Sequence, residues 1–211
     1  MDTKENAFLK VLINKISNHN DQKAFEILFK TYFKKLVYFS KNYVSEEESA
    51  EEIVSEVFVK VWKNRTQLSK IKNIESYLFV ATKNQALNTI SQKTKNPHYS
   101  INGYSSHSFT SGSNPLMEVE YRELQNVLSK EVEKLPFQSK MVFKLIREDG
   151  LKYKQVAEIL NISVRTVETQ LVRAIKKLEK AVDRYFENDK GLKKSTITLS
   201  LLFFLIFFIP L

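Results

Sequence analysis

Residues 153–178 read YKQVAEILNISVRTVETQLVRAIKKL, and each residue type falls where a helix-turn-helix needs it. Val156 and Leu160 stand four apart on a short first helix, and Ala157 is small enough for a second helix to cross closely over it. Asn161 follows the last apolar residue, where the chain must pass through a left-handed conformation that Asn tolerates better than most residues other than Gly. Ile162 plugs the turn, and Ser163 is placed to cap the second helix. Down that helix Val164, Val167, Leu171, Ala174, Ile175 and Leu178 recur at helical spacing as one apolar stripe. Outside the stripe lie Arg165, Thr166, Glu168, Thr169, Val172, Arg173 and Lys176, which mix groups that read base edges with groups that hold phosphates. Glutamate accepts from a cytosine amino group, and valine touches a thymine methyl. The bland alternative is an amphipathic helix pair whose charged face is merely solvated. Gln170 is a departure, since many such motifs carry a second apolar residue there.

Composition narrows the classes. A formal net charge of +9 on 211 residues suits a polyanionic partner, and the length allows one or two small domains. With no cysteine, disulfides and thiolate metal sites are impossible, and the usage fits a reducing cytoplasm. His19, His98 and His107 lie far apart in sequence or in a Ser-rich stretch, and read as solvated loop residues. Four glycines form neither a phosphate-cradling loop nor a nucleophile elbow, so no enzyme, no cofactor and no metal are expected. The N-terminus MDTKENAFLKVL lacks the marks of a secretory signal, which places the protein in the cytoplasm.

Three segments before residue 96 have helical periodicity, the first opening at Asp21. Asp21 can cap a helix bearing Phe25, Leu28, Phe29, Tyr32, Phe33, Leu36 and Phe39 as a broad aromatic stripe. The second is expected to open at Ser45, with Glu48 completing a capping box. Ile53, Val54, Val57, Phe58, Val61 and Trp62 line its buried side, and six glutamates from Glu46 to Glu56 leave its start and outer face acidic. The helix dipole accounts for part of that acidity, and a docking surface for a basic protein partner is the other reading. The third runs from about Ile74 to Ser91, with Tyr77, Leu78, Ala81, Leu87 and Ile90 as its apolar repeats.

From Ser76 to Met117 there is no acidic residue, and the stretch NPHYSINGYSSHSFTSGSNP reads as a flexible linker. Beyond it, Met117 to Leu135 is helical, Pro136 breaks the chain, and Ser139 to Glu148 form a helix ended by Gly150. The expected fold is all-α: two small helical domains joined by a flexible linker, the second a helix-turn-helix, plus a short hydrophobic C-terminal helix. The expected boundaries are 1–96, 97–116, 117–190 and 191–211.

In this order EEIVSEVFVKVW, IESYLFVATKN and LPFQSKMVFKLIREDGLKYKQVAEILNISVRTVETQLVRAIKKL resemble the extracytoplasmic-function sigma factors of bacterial RNA polymerase, over about residues 20 to 185. The resemblance implies that the first domain binds the clamp helices of core RNA polymerase and melts promoter DNA, while the second reads the upstream promoter element. It puts Glu52, Ile53, Ser55 and Glu56 on the clamp, although family members often have Gln where this chain has Ser55. It puts Arg65, Asn73, Tyr77, Lys83 and Asn84 at the melted strand, with Tyr77 where relatives often have Trp. Lys93 and Lys95 join Lys83 as candidate phosphate contacts. Glu168, Thr169 and Val172 then face bases, with Arg165, Arg173 and Lys176 near the backbone. A sigma factor has no fuel for melting, so it must trap bases that unstack spontaneously, at a cost of roughly a few kcal/mol each. The implied partners are RNA polymerase core, promoter DNA and an anti-sigma factor.

The C-terminal STITLSLLFFLIFFIPL carries no charge and follows Lys190, Lys193 and Lys194. It is marginal against the roughly 17 residues needed to span a bilayer. Membrane contact through residues 195–211, at the cytoplasmic face of the inner membrane, is one reading. Packing on this protein, docking to an inhibitor, and an aggregation-prone end are the others. The rival function is a helix-turn-helix regulator independent of polymerase, free or membrane-tethered, which would leave the acidic helix unexplained.

Overall fold

The computed structural model describes residues 3–95 and 125–188, and the regular elements among them are all helical, as the periodicity predicts. The segments 97–116 and 191–211, expected as linker and hydrophobic tail, lie outside the described residues. No helix among the described residues is long and apolar enough to cross a membrane. The chain divides in the main between residues 104 and 105 into two compact units.

The first unit opens with α1, Thr3–His19, an element that precedes the three expected helices. Leu9, Leu12, Ile13 and Ile16 recur on its buried side at helical spacing. It packs on α2, Gln22–Ser40, and on the 3-10 turn Arg65–Lys70. Asn20, at a φ of 53°, turns the chain from α1 into α2. Asp21 then caps α2 as expected, accepting from the Ala24 amide at 3.0 Å. Leu28, Tyr32, Leu36 and Phe39 are buried, whereas Phe25, Phe29 and Phe33 sit half-buried at the flank of the stripe.

The third helix, α3, is Glu47–Lys63, and its start corrects the expected capping box. Glu46 holds the cap position without a side-chain bond, and Ser49 Oγ donates to Glu46 Oε2 at 3.1 Å. Ser45 stays in the preceding bend because tertiary contacts fix the approach: Val44 is buried and Lys41 pairs with Glu47 at 3.1 Å. Glu47 and Glu48 in the first turn favour the positive end of the helix dipole. Phe58 packs edge-on to Phe25 and Phe29, with centroids 6.0 and 4.8 Å apart.

Helix α4, Ile74–Lys95, packs on α2 and α3. Its buried face is Leu78, Phe79, Thr82 and Ala86, with Phe79 edge-on to Phe39 at 4.9 Å. Leu87, expected among the apolar repeats, is 47% exposed, and Tyr77 is 36% exposed. The expected stripe is thus displaced toward Phe79 and Ala86, with Leu78 kept in the core.

Four helices follow, α5 (125–133), α6 (Phe137–Arg147), α7 (Tyr153–Leu160) and α8 (Val164–Asn188), all in the second unit but for the last residues of α7. Met141, Val142 and Leu145 of α6 are fully buried with Val167, Leu171 and Ala174 of α8, and the two helices pack together. Gly150 ends the α6 segment at a φ of +68°, and the Leu151 amide returns to the Leu145 carbonyl at 3.0 Å. Glu133 bridges from α5 to Lys144 at 2.7 Å and Lys140 at 3.2 Å.

Candidate functional site

The turn of the helix-turn-helix is built as its sequence requires. Asn161 has a φ of 56°. The Ile162 amide donates to the Ala157 carbonyl at 3.0 Å and the Asn161 amide to Glu158 at 3.2 Å, the double closure of a Schellman end. Ser163 Oγ accepts from the Thr166 amide at 3.0 Å and lies 2.8 Å from Thr166 Oγ1. Thr166 is therefore committed to the capped turn. Val164, expected in the core stripe, is 39% exposed, since the first helical residue stands a turn ahead of the packed Val167. Ile175 is half-buried, while Leu171, Ala174 and Leu178 carry the core.

Arg165, Glu168, Thr169, Val172, Arg173 and Lys176 are all exposed on α8, Val172 by 51%. Thr169 Oγ1 donates back to the Arg165 carbonyl at 2.9 Å. This face offers cations, one carboxylate, a hydroxyl and an apolar methyl pair, the inventory needed for mixed phosphate and base contact. The departure at Gln170 has a structural reason: Ser139 Oγ donates to its Oε1 at 2.6 Å, and its Nε2 donates to Gln138 Oε1 at 3.3 Å. An amide thus ties α8 to the start of α6 where an apolar residue would pack.

In the first unit, Glu52, Ser55 and Glu56 are exposed on one face of α3. Ile53 is 2% exposed and belongs to the core, so the expectation that it meets a partner is corrected. Its periodicity with Val57 and Val61 places it inward. Val59, 52% exposed, extends the outer strip one turn further, and was not anticipated. Beside the strip, Phe25, Phe29, Ser55, Phe58, Val59, Trp62 and Lys63 line an open, largely apolar groove of about 320 Å³. An acidic strip bordering an apolar groove suits a helical protein partner carrying basic and apolar side chains.

On α4, Tyr77, Asn84, Leu87 and Asn88 fall on one exposed face at helical spacing, and Lys83 is half-buried at its edge. Burial holds the Lys83 ammonium below the usual lysine value. The face has an aromatic at one end, amides in the middle and no charge of its own, which suits unstacked bases. Asn73 and Arg65 are brought close to the fold instead. Asn73 Oδ1 accepts from the Ser76 amide at 2.9 Å and caps α4. Arg65 stacks over the Trp62 ring at 4.7 Å and donates to Asn20 Oδ1 at 2.5 Å and to the Trp62 carbonyl at 3.0 Å. Its own carbonyl accepts from Ser17 Oγ at 3.0 Å, so the guanidinium latches α1 to the 3-10 turn. Lys93 and Lys95 fall outside the described side chains.

Comparison with known proteins gives two matched regions. The family model for sigma-70 region 2 matches residues 28–96, and that for sigma-70 region 4 matches residues 125–178. The ECF RNA polymerase sigma-E factor of Escherichia coli K12 is 26% identical over 180 residues, covering 82% of this chain and 93% of the relative. The protein of the same name from Haemophilus influenzae is 25% identical over 169 residues, covering 77% and 89%. The fold is similar to that of the sigma factor RpoE from Bartonella quintana, solved with the anti-sigma factor NepR. There the TM-score is 0.57 and the identity 19%, over 76% of this chain and 98% of that one. CnrH, solved with the cytosolic domain of CnrY, gives 0.55 and 19%, over 83% and 97%.

Proposed function

Because the chain belongs to the extracytoplasmic-function sigma factors of the sigma-70 family, we propose that it binds core RNA polymerase and directs promoter-specific initiation of transcription. Glu52, Ser55, Glu56 and Val59 dock on the polymerase clamp, and the groove along Phe25, Phe29 and Phe58 takes an apolar side chain of that partner. Tyr77, Lys83 and Asn84, joined by Leu87 and Asn88, hold bases that have left the stack. Arg165, Arg173 and Lys176 hold phosphates of the upstream element while Glu168, Thr169 and Val172 read its bases. The chain works in the cytoplasm, where polymerase and chromosome meet. An anti-sigma factor, as NepR is for the Bartonella quintana protein, silences it by covering these surfaces.

The observation that carries this reading is that both matched regions bear an outward face of the right chemistry: acidic and apolar on α3, uncharged and aromatic on α4, cationic on α8. Run-off transcription with purified core polymerase on genomic fragments tests it. Discrete transcripts that require the chain are expected. Transcripts unchanged by adding it, together with no retention of core polymerase, would defeat the reading.

A further inference from the structure

Glu56 and Lys60 stand one turn apart on α3, in the order that usually lets carboxylate and ammonium pair directly. The carboxamide of Gln85, from α4, comes between them. Lys60 Nζ donates to Gln85 Oε1 at 2.5 Å, and Gln85 Nε2 donates to Glu56 Oε2. The amide dipole is matched at both ends: its oxygen faces a cation and its nitrogen an anion, which fixes which way round it sits. Gln85 follows Asn84 directly and precedes Asn88 by a turn, so it borders the uncharged face of α4. Glu56, its other contact, lies on the outer strip of α3. One side chain therefore touches both surfaces of the first unit.

We infer that Gln85 is a positioning residue that couples polymerase docking on α3 to strand capture on α4, an inference that rests on the sigma-factor reading above. A basic group of the polymerase that seats on Glu56 Oε2, the oxygen Gln85 Nε2 uses, displaces that donor. The released carboxamide turns its N–H donors toward Asn84 and Asn88, where an unpaired base offers acceptors. Glu56 thus has two competing partners, and docking biases the amide toward the strand.

The test uses the full chain, free and bound to core polymerase. The probe is a labelled single-stranded oligonucleotide copying the nontemplate strand of a promoter found active in run-off transcription. Gln85→Leu and the more nearly isosteric Gln85→Met both remove the donors. In either variant the affinity gained by the probe on polymerase binding falls about fivefold, the worth of one hydrogen bond. Probe affinity of the free variant stays at the wild-type value, while its affinity for core polymerase rises, because Glu56 no longer has a competing partner. A gain equal to wild type overturns the inference. So does a parallel loss in free and bound forms, or in core affinity, which would give Gln85 a merely structural part. If the wild-type chain yields no transcript, the sigma-factor reading itself fails first.

Discussion

At the scale of single residues, the turn before α8 depends on two side chains with separate jobs. Asn161 occupies the left-handed region and Ser163 satisfies an amide of the first turn. Ser163→Ala is expected to cost about 1 kcal/mol, measured as a lowered urea midpoint with an unchanged slope. DNA affinity should fall with it, because the same turn presents Arg165. The exposed residues of α8 separate by chemistry. Arg173→Ala is expected to weaken binding to all sequences alike and to reduce the slope of log affinity against log salt by about 1. Glu168→Ala with Thr169→Ala should instead change which promoter is chosen. Promoter preference that survives the double change would show that bases are read elsewhere. The turn, the cap and the outward placement of these α8 residues were legible in the sequence, because a helix start and a helix face are local properties. Thr166 was not: its spacing suits DNA, yet its hydroxyl closes on Ser163.

At the scale of elements, α5 is tied to α6 by charge as well as by the burial of Val132 and Leu135. Burial alone would raise the Glu133 carboxyl. The hydrogen bonds and charges of Lys144 and Lys140 outweigh it and hold that carboxyl below its ordinary value of 4.5. A depressed folded value means the stabilisation is full above the unfolded value and is lost as pH falls through the folded one. The second unit should therefore lose stability below pH 4.5, and Glu133→Gln should flatten that dependence in thermal melts followed by circular dichroism. Lys144 has a side chain only 8% exposed, so Glu133→Ala takes a carboxylate at 2.7 Å away from a buried ammonium. The expected cost is about 2 kcal/mol, below the full buried-pair range because Glu133 itself is partly solvated. Lys144→Met should restore most of that loss. Equal stability of the single and double variants would show the pair to be inert. Helix α4 shows where periodicity misleads: Tyr77 and Leu87 look like core residues in one dimension, but packing chose Phe79, Thr82 and Ala86.

At the scale of the whole molecule, α1 belongs to the frame of the first unit. Leu9, Leu12, Ile13 and Ile16 are buried, and Arg65 holds the end of α1 through Asn20 while stacking on Trp62. A chain beginning at Asp21 is expected to lose about 4 kcal/mol or more, given the usual worth of each buried aliphatic side chain. The sole tryptophan, Trp62, reports it directly: its emission should shift toward that of solvated indole, and the midpoint of unfolding should drop. Retention of core polymerase should fall with it, since the docking strip and groove lie on helices that α1 and its latch support. A truncated chain with unchanged emission and midpoint would remove α1 from the frame.

What the sequence by itself determined was local: the helical character of α2, α3, α4, α6, α7 and α8, the caps at Asp21 and Ser163, the helix end at Gly150, the left-handed turn at Asn161, and the outward strip of α8. These follow from backbone sterics and from a period of about 3.6, which need no knowledge of the rest of the chain. Only the tertiary structure decided which side of an apolar helix is covered. It exposed Val59 and Leu87, moved the start of α3 from Ser45 to Glu47, and committed Arg65 and Asn73 to the frame. It also drew Gln85 between Glu56 and Lys60. Each of those outcomes depends on what a distant segment brings to the same place, and one-dimensional spacing carries no record of that.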